Sequence, residues 1–165
     1  MMKSLATTIS LAFCLIATSA SACDFASARY QHSADANLHA SFKVLKLRPA
    51  WPTDLALDIR DEKTSTSFWF LFDAGASSYV SLISTADVTA KGWTPPSPDG
   101  GIRPLGSMHI FMWNKDMRIA DTVPEAQGQA PETFFVPDLT ESLRHTAKPP
   151  LQIDQGFFKL VSCSK

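Results

Sequence analysis

The sequence contains no cluster of basic residues: 15 Lys and Arg stand against 16 Asp and Glu, scattered along the chain. Nucleic acid and anionic membrane surfaces both demand a concentrated positive patch, so neither is an expected partner. After residue 22 no apolar run approaches the roughly 20 residues that a membrane-spanning helix needs, so no transmembrane segment is expected in the remainder. No glycine loop stands ahead of a helix to cradle phosphate, and nothing repeats at a solenoid or propeller period. Cysteine is scarce, at three residues, and histidine at four. Their spacing matches no compact ligand set, so no metal or cofactor is expected.

The N-terminus is more informative. Lys3 is followed by an uncharged stretch from Ser4 to Ala22, with an apolar centre at Ile9 and Leu11 to Ala17. A charged head, a short apolar centre and the small-x-small ending Ala20-Ser21-Ala22 make an export signal, with cleavage expected after Ala22. A buried N-terminal helix would instead show polar residues at helical spacing and a cap or stop signal. The expected organisation is a cleaved signal peptide, 1–22, and a single exported β-rich domain, 23–165, either periplasmic or secreted. Losing Lys3 leaves 14 basic against 16 acidic residues, a net charge of −2. A chain of this length buries roughly two thirds of its unfolded surface and has no room for a second domain.

Cys14 leaves with the signal, so two cysteines remain, Cys23 and Cys163. In an oxidising compartment they are expected to pair. Closing nearly the whole domain into one loop would stabilise it by about 4–5 kcal/mol. The competing reading is a lipid anchor on Cys23. Against it, Ala20 stands where lipoprotein signals carry a branched apolar residue, and acylation would strand Cys163 as an odd thiol.

Apolar–polar alternation marks the strands. Phe42 to Leu47 reads as one, ended by Pro49. Leu55, Leu57 and Ile59 define a second, and Asp61-Glu62-Lys63-Thr64 turns it into a third, Phe68 to Phe72, too continuously apolar to have an open face. Tyr79 to Ser84 follows. Met108 to Trp113 and Met117 to Ala120 form a hairpin about Asn114-Lys115-Asp116, and Phe157 to Ser162 is the last strand. Ala26 to Ala40 has no decided period, and a polar linker follows Ala120. One short helix is expected from Pro137 to Arg144, with Asp138 as N-cap and Glu141 three residues on. Six or seven strands with one short helix predict a mostly β domain, an antiparallel sandwich or small barrel; α+β is the alternative.

Catalytic residues are not evident. Gly75-Ala76-Ser77-Ser78 lacks the second glycine and the strand-to-helix setting of a nucleophile elbow. His32 and His39, seven apart, read as surface histidines, His109 as a strand residue, and His145 as a cation at a helix C-terminus. The acids Asp54, Asp58, Asp61, Glu62, Asp73, Asp87 and Asp99 fall mostly where turns and wet strand faces want them.

The segment that stands out is 92–106, where Gly92, Pro95, Pro96, Pro98, Gly100, Gly101, Pro104 and Gly106 surround Trp93. Proline has already removed much of the entropy such a loop would lose on docking, which suits a binding loop with Trp93 as aromatic anchor and Asp99 and Arg103 as polar partners. Trp93 packed down on its own core is the competing reading. The expected function is an exported, non-enzymatic binding module with an envelope protein as partner, an inhibitor or immunity-type protein acting through this loop. Its alternatives are a small-ligand or lipid-binding barrel, from the aromatic load of Phe68, Trp69, Phe70, Phe72, Phe111 and Trp113, and an envelope hydrolase using a carboxylate with His109.

Overall fold

A computed structural model describes residues 23–47, 51–74, 79–97 and 99–164. The expected signal peptide, Pro49, Gly75–Ser78 of the expected loop and Pro98 lie outside the described residues.

The chain folds as β1 (Ala28–His32), β2 (Leu38–Val44), β3 (Leu55–Asp61), β4 (Thr66–Asp73), β5 (Ser81–Thr85), β6 (Ser107–His109), β7 (Phe111–Trp113), β8 (Ile119–Ala120), β9 (Thr133–Phe135), α1 (Leu139–His145) and β10 (Phe158–Cys163). These ten strands join one antiparallel sheet in the order β6-β5-β4-β3-β2-β1-β10-β9-β7-β8. The protein is therefore mostly β with one short helix among the described residues, and its sheet is curled into a half-barrel. Only Ile110 separates β6, at one end of this order, from β7, near the other. Its N–H donates to the Val80 carbonyl at 3.1 Å, so one residue carries the chain across the open side of the curl.

The strand count exceeds the expected six or seven for physical reasons. The segment read as one strand, Met108 to Trp113, is broken at Ile110 into two strands that pair with different neighbours. β1 falls in the undecided stretch, because its inward positions are Ala28, Tyr30 and His32, whose hydropathy hardly contrasts with Arg29 and Gln31 between them. β2 likewise begins earlier than expected, at Leu38, and ends at Val44. β9 is three residues long, too short for any period to show.

Inside the curl lies the larger core, built on Phe25, Tyr30, Phe42, Phe70, Phe72, Phe134 and Phe158. Phe134 and Phe158 stack at 4.7 Å, and the buried Tyr30 hydroxyl donates to the Pro131 carbonyl at 2.7 Å. A second cluster covers the outer face of β3, β4 and β5 with Trp51, Ala56, Trp69, Leu71, Ile83 and Val88. β4 is thus covered on both sides, as its continuous apolar run requires. The β3–β4 hairpin is held by Asp61, whose carboxylate accepts from the Lys63 N–H and the Thr64 hydroxyl.

α1 buries Leu139 and Leu143. Asp138 precedes it, but its side chain makes no capping hydrogen bond; the carboxylate accepts the His109 N–H at 3.2 Å instead. Glu141 lies 3.4 Å from His145 Nε2, on the same face of the helix.

Cys23 and Cys163 are joined by a disulfide, with Cα atoms 5.7 Å apart. Backbone bonds knit the same corner: the Ala130 N–H donates to the Cys23 carbonyl and the Ser164 N–H to that of Ser27, each at 2.8 Å. No helix among the described residues is long and apolar enough to cross a membrane.

Candidate functional site

The 92–106 loop rises from the end of β5 and stands on two feet. Gly92 adopts a positive φ of 81° and the Trp93 N–H closes a turn onto the Ala90 carbonyl at 3.1 Å. That turn lays the Trp93 indole against the outer cluster, where its Nε1 donates to the Thr85 hydroxyl at 3.1 Å. At the other foot, Leu105 is buried in the inner core, and its N–H donates to Ser84 Oγ at 2.8 Å while that hydroxyl donates to the Gly106 carbonyl. The two feet thus rest on neighbouring residues of β5 that face opposite sides of the sheet.

Between the feet the loop is tied to itself. The Gly100 N–H donates to the Ser97 carbonyl and the Gly106 N–H to that of Arg103. Gly101 has a φ of +109°, and a Cβ there would meet Pro96 Cβ at 3.2 Å, so glycine is needed for both conformation and space. Arg103 Nη1 donates to Ser107 Oγ at 2.8 Å, fixing the return of the chain. What the loop exposes most is Ile102, 86% accessible, and Asp99, three residues earlier, is exposed too. Of the residues expected to act here, Trp93 is a foot and Arg103 a brace, while Asp99 stands at the rim. Ile102 was not singled out in the sequence, although an isoleucine between Gly101 and Arg103 in a proline-rich loop has no strand or helix face to serve.

Beside the Leu105 foot lies a cleft of about 440 Å3, lined by Thr66–Trp69, Ser84–Asp87, Pro104, Leu105 and Thr146–Lys148. The Trp69 indole N–H, one of its walls, is buried without a hydrogen-bond partner among the described residues. Asp87 at the rim has its carboxyl held below the ordinary range, chiefly by the Thr89 hydroxyl and then by the Thr89 N–H. The rings expected to line an interior ligand site are spread over different surroundings. Phe70 and Phe72 are sealed in the inner core, Trp69 belongs to the outer cluster, and Phe111 and Trp113 point outward on either side of the buried Met112.

The histidines are dispersed. His32, expected at the surface, is buried: Nδ1 accepts the Asp35 N–H at 3.2 Å and the ring packs on Phe158 at 4.9 Å. Desolvation pushes its pKa below the ordinary value, outweighing the Gly156 backbone and the carboxylates of Asp35 and Asp154. His39 lies 3.6 Å from Glu62, and His109 Nδ1 lies 3.6 Å from Asp138. Among the described residues no group of three or more His, Cys, Asp or Glu side chains converges to hold a metal. Asp58 is the unusual acid, since burial raises its pKa and its Oδ1 has no partner among the described residues.

Comparison of the chain with protein families, curated proteins and solved structures finds no match.

Proposed function

We propose that the protein is a non-enzymatic binding module of the bacterial envelope, periplasmic or secreted, which caps an envelope protein through the 92–106 loop as an inhibitor or immunity-type protein. The observation that carries this reading is Ile102, an aliphatic side chain 86% exposed at the crest of a loop anchored at both ends. An isolated apolar knob on a proline-fixed backbone loses little freedom on insertion into a cleft, so most of its burial contributes to affinity. Arg103 and Asp99 flank the knob and would set register. The disulfide is consistent with an oxidising compartment, and the leader-like residues 1–22 would deliver the chain there.

The test compares the disulfide-bonded protein with Ile102→Glu and Trp93→Ala. Immobilised wild-type protein should retain one envelope protein in stoichiometric amount, and Ile102→Glu should release it at an unchanged melting temperature. Trp93→Ala should lower the melting temperature, because it removes a foot. Equal retention by wild type and Ile102→Glu, or no retention by either, overturns the reading.

A second reading, small-ligand binding, is supported by the 440 Å3 cleft beside Leu105, which falls within the usual size of ligand sites, about 300–1,000 Å3. On this reading the ligand sits between Leu105 and Trp69, and quenching of tryptophan fluorescence by an added apolar ligand should be lost in Trp69→Phe.

A further inference from the structure

The outer face of β7, β9 and β10 carries aromatic side chains where a strand facing water ordinarily carries polar ones. Phe111 and Phe135 are direct cross-strand partners, and Trp113 lies two residues beyond Phe111 on the same face. Phe157, just ahead of β10, closes the group: its ring is 6.0 Å from Trp113 and 5.1 Å from Phe135. Tyr79 extends it, 5.2 Å from Phe111. Tyr79 is 50% exposed and Phe157 43% exposed, while Phe111, Trp113 and Phe135 between them are half-buried, so the platform is partly open to solvent.

We infer that this platform binds an extended, uncharged polysaccharide. Its composition points there first. Aromatic ring faces are electron-rich and attract the weakly positive C–H face of a sugar ring, whereas a face built for lipid needs only aliphatic bulk. Orientation agrees for one pair: the planes of Phe111 and Trp113 lie within 28° of one another with centroids 6.3 Å apart, while Phe157 meets Trp113 at 69° and Tyr79 meets Phe111 at 62°, closing the pair's two ends. The surroundings agree as well. Thr133 is the cross-strand partner of Trp113 and Lys159 that of Thr133, and neither side chain is hydrogen-bonded among the described residues, so both can serve hydroxyls. At the opposite end stand His109 and Asp138. The cation Lys159 is thus matched by the Asp138 carboxylate, a balance that favours a neutral chain over an acidic one.

None of the platform's rings belongs to the 92–106 loop, so the two sites fail independently. The experiment is native electrophoresis of the disulfide-bonded protein through gels cast with hydroxyethylcellulose, with soluble starch, or with neither. Hydroxyethylcellulose, an extended glucan, should retard the wild type. Trp113→Ala and Phe157→Ala should each weaken retardation about tenfold, while Ile102→Ala should leave it unchanged. Urea midpoints of both platform variants report folding, and the more exposed Phe157 decides the matter if Trp113→Ala proves unfolded. The inference is overturned by absence of retardation in both polymers, by retardation in starch alone, or by retardation that survives both substitutions. It is equally overturned if sedimentation reveals a dimer that Phe157→Ala dissolves, because the platform would then be a contact between copies.

Discussion

Gly156→Ala should be among the most damaging small substitutions in the protein. A Cβ at position 156 would stand 2.8 Å from His32 Cε1, 2.9 Å from Nε2 and 2.8 Å from Ser33 Oγ. None of these can withdraw cheaply. The His32 ring is fixed between Phe158 and the Asp35 N–H, and Ser33 Oγ accepts the Phe157 N–H at 2.9 Å. Overpacking of this kind costs up to about 3 kcal/mol. The alanine also stiffens the unfolded chain, which offsets about 0.4–1 kcal/mol of it. A net loss of about 2 kcal/mol remains, and the urea midpoint should fall by about 1 M. In a His32→Ala background most of the clash is gone, so the same substitution should cost about 1 kcal/mol less, a coupling that a double-mutant cycle reads directly. A midpoint unchanged by Gly156→Ala, or a cost identical in both backgrounds, would refute the claim that this glycine is a fitted contact.

Other outcomes follow from burial and from the covalent tie between the ends. Because burial lowers the pKa of His32, the unfolded chain takes up a proton near 6.5 while the fold does not; stability should therefore be full above that pH and decline below it, and His32→Leu should flatten the difference between about pH 8 and about pH 5. Asp58 is shifted upward by burial from 3.8, so its charged form opposes folding at neutral pH. Asp58→Asn should raise the melting temperature at neutral pH, with the gain shrinking as pH falls from the raised pKa toward 3.8 and gone below it, and a lowered melting temperature at neutral pH would contradict this. The disulfide closes a sequence separation of 140 residues. Replacing both cysteines by serine should cost about 5 kcal/mol in equilibrium unfolding, and a loss below about 1 kcal/mol would show that the unfolded chain is hardly constrained by it.

The parts of the fold that could be read from sequence are those where a strand's inward and outward residues differ sharply. β3, with Leu55, Leu57 and Ile59 on its inner face, and the Asp61 turn after it are of this kind. β1 is not, since His32 and Ala28 carry inward positions that only a partner such as Gly156, far along the chain, makes comprehensible. The break at Ile110 follows from the curl of the sheet and leaves no trace in composition. In the 92–106 loop, proline and glycine announced an irregular rigid segment, but not which apolar residue it would expose. Trp93 has the outer cluster to rest on and Ile102 does not, a distinction set by Trp51, Leu71 and Ile83 rather than by the loop. Of the aromatic platform, Phe111 to Trp113 was legible as strand and illegible as surface, because alternation marks two faces without saying which one is wet, while Phe135 sits in a strand too short to be read at all.

β10 lies between β1 and β9, so the first strand of the domain and one of the last share it as their common neighbour. During synthesis β1 must wait, with an open row of amides, until almost the entire polypeptide has emerged. Pairings of such long range make assembly slow and leave the nascent chain adhesive in the interval. A chaperone would therefore meet this protein as an unsatisfied meander, and premature termination before residue 158 would yield an edge-exposed, aggregating fragment rather than a shortened domain.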